Sequence, residues 1–196
     1  EARAKSGLLR GREFRMKDMY SFHTNEKDLD TFYDRVTEAY FKIYERMGLK
    51  EQTRIAFASG GAFSKYSHEF QVITPSGEDT IYEIPNSKLT INKEIIEDNN
   101  ALRDIIPNYH DGDEAKLSQL KAIEVGNIFK LGTRFSKACD LFYTDKDGVK
   151  KHPIMGCYGI GPSRLMGAIA EVLSDDKGLI WPQEIAPFSV HLISLV

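Results

Sequence analysis

The chain has 196 residues, of which 41% are hydrophobic and 28% charged. That suits one well-buried globular domain with little left over. Its net charge of −3 gives no global attraction to nucleic acid, and no apolar run approaches the ~18 residues of a membrane span. Only two cysteines occur, Cys139 and Cys157. Without a CxxC pair, they argue against a disulfide framework or structural zinc and for a reducing, cytoplasmic setting. The chain opens on Glu1 rather than methionine, so it is expected to be processed, trimmed or part of a longer protein.

The charge is uneven. Residues 1–20 hold six cations (Arg3, Lys5, Arg10, Arg12, Arg15, Lys17) against three anions. Residues 94–119 hold seven acids against Arg103 and Lys116. A basic strip on a mildly acidic protein fits a phosphate-bearing ligand held at one site.

In chain order, residues 1–11 read as a basic loop. Residues 13–22 alternate as a strand, with Phe14, Met16, Asp18, Tyr20 and Phe22 on one face. An acid inside that apolar row points to a site. From Leu29, the residues Leu29, Phe32, Val36, Ala39, Ile43 and Met47 recur at helical spacing. Thr24 or Asn25 is placed to cap this helix and Gly48 to end it. It reads as scaffold, with Tyr33, Tyr40 and Tyr44 carrying no special role.

Arg54–Ala58 is a short strand candidate. Residues 68–74 alternate, His68, Phe70 and Val72 against Glu69, Gln71 and Ile73, and Pro75-Ser76-Gly77 turns the chain into an expected hairpin with Asp79–Tyr82. Residues 83–119, acidic and containing Pro85 and Pro107, read as a peripheral insertion without sheet pattern. Residues 122–129 return to strand character with Glu124 and Asn127 inside, and Asp145-Lys146-Asp147-Gly148 is a hairpin turn.

Gly156-Cys157-Tyr158-Gly159-Ile160-Gly161-Pro162-Ser163-Arg164 then joins a strand to a helical pattern that reaches Trp181-Pro182. Glycines there permit close backbone approach, and the arginine presents a planar charged fork to an anion. The glycines alone fit a cap or bulge beside a surface arginine equally well. Their spacing matches neither the dinucleotide fingerprint nor the P-loop. Residues 188–196 read as a buried strand. Strands on both sides of one long helix predict an α+β fold with an antiparallel sheet.

Glu1, Arg10, Phe14 and Asp18 stand as E…R-x-x-x-F-x-x-x-D. This resembles the second half of motif 2 of class II aminoacyl-tRNA synthetases, and residues 156–164 resemble motif 3. The blocks GLLRGREFRMKDMYSF (7–22), SHEFQV (67–72), AIEVGNIFKLGTRFS (122–136) and GCYGIGPSR (156–164) are similar, in the same order, to the bacterial type of prolyl-tRNA synthetase. The resemblance spans nearly all the chain except 83–119.

It implies that proline and ATP form prolyl-adenylate and that the prolyl group passes to tRNA(Pro). It implies Phe14 stacked on adenine, Glu1 accepting from the adenine amino group, and Arg10 and Arg164 as catalytic holders of the triphosphate. Asp18 would orient the arginines. His68 would line a proline pocket walled by Phe22 and Cys157, Glu124 would serve magnesium or ribose, and Arg3 and Lys5 would meet the tRNA acceptor end.

The pattern departs at Asn127, where the family usually has histidine. Residues 83–119 are too short for the editing domain that many bacterial members carry there, so editing within the chain is expected to be absent. Residues 1–185 would be the catalytic core without its N-terminal part, including the dimer-forming motif 1, and residues 186–196 the first strand of an anticodon-binding domain. Another class II synthetase, of the threonyl, seryl or histidyl type, is the first alternative, though no zinc-ligand set for the threonyl type is seen. A non-catalytic synthetase-like paralogue is the second, disfavoured by the retained Arg10 and Arg164.

Overall fold

The computed structural model describes residues 2, 4–85, 87 and 89–195. Its first strand, Lys17–His23 (β1), starts four residues later than the alternation predicts. Asp18, Tyr20 and Phe22 do share a face, but that face is exposed, while Ser21 and His23 on the other face are buried. The apolar row therefore faces a cleft and not the core.

Asn25 starts the long helix Glu26–Arg46 (α1) by accepting the Asp28 amide on its side-chain oxygen at 2.9 Å. Gly48, at φ 73°, follows its end. The buried stripe is Leu29, Tyr33, Val36, Tyr40 and Tyr44, so three tyrosines form much of the core face and Ala39 is exposed. Their rings supply the area that packs on Phe70, whose ring lies 4.9 Å from Tyr40 and 5.4 Å from Tyr44.

Strands Thr53–Ser59 (β2), Tyr66–Ile73 (β3), Asp79–Glu83 (β4) and Leu89–Asn92 (β5) follow. Then come helix Asn99–Ile105 (α2), strand Ser118–Gly132 (β6), helix Arg134–Ala138 (α3), and the short strands Tyr143–Thr144 (β7) and Lys150–Lys151 (β8). Strand Ile154–Ile160 (β9) leads into helix Pro162–Val172 (α4), and a small ribbon of Ser174–Asp175 (β10) and Gly178–Leu179 (β11) follows. The helical pattern thus stops at Val172, well before Trp181.

The main sheet has seven strands in the order β1-β9-β6-β3-β2-β5-β4, with a further β4–β6 pairing. Its ladders are antiparallel, except that β2 and β5 run parallel. The expected β3–β4 hairpin does not form. Instead β4 carries on along β6 where β3 leaves off, Ile73 and Asp79 both facing Ala122. The loop between them lies flat on β6, and a Cβ on Gly77 would come within 2.3 Å of the Ala122 amide nitrogen.

Residues 83–119 correct the peripheral reading. They supply β5 to the sheet and build their own core from Ile84, Ile91, Ile95, Ala101, Leu102 and Tyr109. The hairpin turn at Asp145 forms as expected: its carboxylate accepts the amides of Asp147 and Val149, both at 2.9 Å. Residues 188–195 form no strand, and Phe188, Leu192 and Leu195 are 80%, 89% and 96% exposed.

α1 and α4 share one core with Phe70, Ile128 and Tyr158 on one face of the sheet. The opposite face of β1, β9 and β6 is left open, and there the candidate site residues gather.

Candidate active site

A cavity of about 310 Å³ lies between this open face, the loop 8–16 and the start of α4. Arg10, Phe14, Glu124, Cys157 and Arg164 all line it, with Asp18, Asn127, Gly159 and Gly161. Two segments far apart in sequence meet because β1 pairs with β9, placing Asp18 opposite Gly159 and Tyr20 opposite Cys157. Arg15 fastens the corner, donating its amide to Ser163 Oγ at 3.1 Å.

β6 contributes through a bulge. In a regular strand Glu124 and Asn127, three apart, would face opposite sides. Here Phe70 pairs with Gly126 but Gln71 with Glu124, leaving Val125 as the extra residue, and such a bulge re-aims the side chains that follow it. Glu124 and Asn127 consequently share the cleft face, and the Asn127 amide donates to Glu124 Oε1 at 3.2 Å.

Arg164 leaves the first turn of α4 and is held through Nε and one terminal nitrogen. Its Nε donates to the Leu9 carbonyl at 3.1 Å, and one terminal nitrogen donates to Glu124 Oε2 at 2.9 Å and to the Glu124 carbonyl at 3.2 Å. Arg10 faces a different acid, Glu78, across an ion pair without a hydrogen bond, its Nε 3.6 Å from Glu78 Oε1. Both guanidinium groups keep N–H donors for an anion in the cleft. Asp18 pairs with neither: the acids that steady the arginines are Glu124 and Glu78.

Behind Glu124 lies a buried polar network. Glu69 Oε2 accepts from Gln71 and from Asn92, each at 2.9 Å, and Glu69 Oε1 lies 3.4 Å from the Asn127 amide nitrogen. Burial, then the neighbouring Glu124 charge, pushes the Glu69 carboxyl up to about 7, against the pull of its Gln71 and Asn92 donors. Glu124 is raised too, burial outweighing the lowering effect of Arg164. Cys157 is half-buried, and burial likewise pushes its thiol up. At Gly159 and Gly161 a Cβ would sit in ordinary contact, its nearest atom at 3.5 and 3.7 Å. Gly156 is different: a Cβ there would come within 2.2 Å of the Tyr158 hydroxyl.

Two expected pocket residues are not brought to this cleft. His68 pairs with Ile128 and sits on the helix side of the sheet, its Nδ1 2.7 Å from the Tyr33 hydroxyl. Burial, helped by Lys130, lowers its pKa to about 4. The parity of β3 is the reason, for Glu69, the next residue, takes the cleft-side position. Phe22 has the correct parity on β1 but lies four residues beyond Asp18, about 13 Å along the strand. There it lines a separate apolar cavity of about 430 Å³ with Leu141, Phe142 and Tyr143. Glu1 and Arg3 lie outside the described residues. Lys5 is exposed and pairs with Glu78 at 2.9 Å.

Sequence reasoning missed Glu69, Gln71, Asn92 and Glu78. The polar row of β3 was the available signal for the first two. Nothing local marks Asn92 or Glu78, which reach their partners only through the fold.

An α+β sheet that brings a basic loop and the arginine of a glycine-rich strand–helix corner into one cleft defines a class. The chain belongs to the tRNA synthetase class II core domain family (G, H, P, S and T), whose sequence pattern matches residues 1–173. It is similar to the proline--tRNA ligase of Anaplasma marginale (strain St. Maries), 40% identical over 203 residues that cover 100% of this chain and 48% of that protein. The chain spans about half the length of the curated relatives it matches.

Among solved structures it resembles the Giardia lamblia prolyl-tRNA synthetase in complex with prolyl-adenylate. The TM-score is 0.66 at 19% identity, covering 94% of this chain and 29% of that one. It also resembles the prolyl-tRNA synthetase from Cryptosporidium parvum complexed with L-proline and AMP. There the TM-score is 0.62 at 18% identity, covering 93% and 29%.

Proposed function

We propose that this chain is the central part of the catalytic core of a proline–tRNA ligase. The observation that carries the reading is the convergence of Arg10, Phe14, Glu124 and Arg164 on one cleft. Proline-specific relatives along the whole chain, and fold neighbours holding prolyl-adenylate or proline with AMP, support the choice of substrate.

In the reaction, a carboxylate oxygen of proline attacks the α-phosphorus of ATP. The bond to the bridging oxygen breaks, pyrophosphate leaves with that electron pair, and the mixed anhydride prolyl-adenylate remains. The terminal ribose hydroxyl of tRNA(Pro) then attacks the prolyl carbonyl and releases AMP. Arg10 and Arg164 hold the phosphates and offset the charge that grows on them, and positioning supplies much of the rest. Phe14, half exposed in the cleft, offers its face to adenine. Asp18, Asn127, Cys157 and Gly159 border the space left for the pyrrolidine ring.

For Mg2+, Glu124 fits as a single carboxylate ligand beside substrate phosphates, the manner in which this ion is commonly held. Among the described residues no group of three acids, histidines or cysteines makes a closed metal cage. When bound, the ion would neutralise phosphate charge. Lys5 and Arg3 of the basic loop approach the tRNA acceptor end.

Homodimer formation through an N-terminal segment, the start of an anticodon-binding domain at 186–196 and a cytoplasmic location complete the proposal. Among the described residues no helix is long and apolar enough to cross a membrane. Residues 83–119 build part of the sheet and are too short for an editing domain, so we assign no editing of alanyl-tRNA to this segment.

The test is proline-dependent ATP–pyrophosphate exchange by the full-length protein. Proline is expected to support exchange, and Arg164→Ala and Arg10→Ala each to lower it by about 10²-fold or more, the range for removing one charge-stabilising donor. A folded full-length protein giving no exchange with proline, alanine or threonine would sink the reading and leave a binding paralogue.

A further inference from the structure

We infer that Glu78 is a positioning residue for nucleotide binding: it holds Arg10, and with it the whole basic loop, in the geometry that meets ATP. The inference rests on the function proposed above for Arg10.

The loop is closed on itself, the Lys5 amide donating to the Arg10 carbonyl at 2.9 Å. Both of the cations at this closure turn to one carboxylate, Lys5 Nζ lying 2.9 Å from Glu78 Oε2 and Arg10 Nε 3.6 Å from Oε1. Glu78 is largely buried, its side chain 16% exposed. Burial alone would push its carboxyl up, but Lys5 and Arg10 outweigh it and hold the group below its ordinary value.

The carboxylate stands on a fixed post. The Thr74 amide donates to the Lys121 carbonyl at 3.1 Å, and the Gly77 amide to the Thr74 carbonyl at 3.0 Å. Gly77 itself lies too close to the β6 backbone to admit a side chain. On its other side the basic loop is gripped by Arg164 through the Leu9 carbonyl. Glu78 and Arg164 thus fix the loop from two directions.

Competition with phosphate is the opposing expectation. The geometry weighs against it, because Glu78 approaches the Nε edge of Arg10, and a guanidinium has five N–H donors in a planar fork. Arg164 shows within the same cleft that a guanidinium paired with an acid can keep a terminal nitrogen open, since Glu124 and the Leu9 carbonyl take only one terminal nitrogen and Nε.

The experiment measures ATP binding by calorimetry and ATP–pyrophosphate exchange in the full-length protein, for the parent, Glu78→Gln, Glu78→Asp, Arg10→Ala and the Glu78→Gln/Arg10→Ala pair. Glu78→Gln is expected to weaken ATP binding about tenfold, in line with loss of one charge-assisted contact. The KM for proline should not move. Glu78→Asp, which keeps the charge on a shorter arm, should recover part of the loss. In the Arg10→Ala background Glu78→Gln should have no further effect.

Unchanged or tighter ATP binding in Glu78→Gln, the same penalty with and without Arg10, or a parallel rise in the proline KM would each overturn the inference. A parent that binds ATP but gives no exchange overturns the proposed function while the calorimetry still decides the role of Glu78. A parent that binds no ATP overturns both.

Discussion

Glu69 carries the sharpest consequence at the scale of single residues. Its carboxyl sits near 7 in the folded chain against an ordinary 4.5. Between those values the folded protein keeps a proton that the unfolded chain has lost. The resulting stabilisation is full below about pH 4.5 and fades as pH rises through 7. Above pH 7 the buried carboxylate is charged beside Glu124. Glu69→Gln should therefore be more stable than the parent by about 1–3 kcal/mol at pH 8 and equal to it near pH 4.5. The amide can still accept from Gln71 and Asn92, and the Asn127 side-chain oxygen, buried without a partner, gains a donor if that amide turns. His68 slopes the other way: with its pKa lowered to about 4, it contributes stability that is present above its ordinary 6.5 and lost as pH falls towards 4. Because His68 is common to both proteins, the difference between their urea midpoints from pH 4.5 to 8.5 reports Glu69 together with the Glu124 charge it feels. A difference independent of pH would refute the shift.

At the scale of elements, close backbone approach between β6 and its neighbours decides what fits. A Cβ at Gly126 would come within 2.4 Å of the Tyr44 hydroxyl and 3.0 Å of the Gly159 carbonyl oxygen. That hydroxyl is buried and makes no hydrogen bond. Gly126→Ala should cost about 1–3 kcal/mol as overpacking. Tyr44→Phe should be close to neutral, because it deletes a group that is unsatisfied already. The double variant should recover part of the loss, the Gly159 carbonyl remaining in the way, and urea melts of the three variants would show it. Strictly additive penalties would mean that Tyr44 is not what the new methyl meets. The same elements mark what could be read in advance. The Asn25 cap, the span of α1 and the strand–turn–helix at 156–164 are set by local chemistry and stood in the sequence. The buried face of α1 did not, because its tyrosines pack as core while counting as half-polar in any pattern. Nor did the bulge at Val125, since one extra residue in a strand leaves no trace in composition. β5 was hidden for a further reason: four residues that pair only with distant strands have too little alternation to declare themselves. Of the site, Arg10, Phe14, Glu124, Cys157 and Arg164 were legible because motif and spacing place them. His68 was misplaced by a single step of strand parity.

Over the whole molecule, burial is shared unevenly along the chain. The two larger cores draw on residues from Leu9 to Ile169, with Leu173 and Ile185 packed against the first of them. Beyond Ala186, Phe188, Val190, Leu192, Ile193 and Leu195 are between 73% and 96% exposed. Apolar area that stays in water contributes nothing to folding and promotes association. Deleting residues 187–196 from this 196-residue chain should therefore leave its stability within about 0.5 kcal/mol, the usual range for changes away from packed features. The same deletion should reduce self-association measured by sedimentation. If these residues are instead the first strand of a following domain, as proposed, amide exchange across 188–195 should be fast in this chain and slow in the full-length protein, where a sheet would cover them. A marked loss of stability on deletion, or equally fast exchange in both proteins, would remove that domain assignment while leaving the cleft and its arginines untouched.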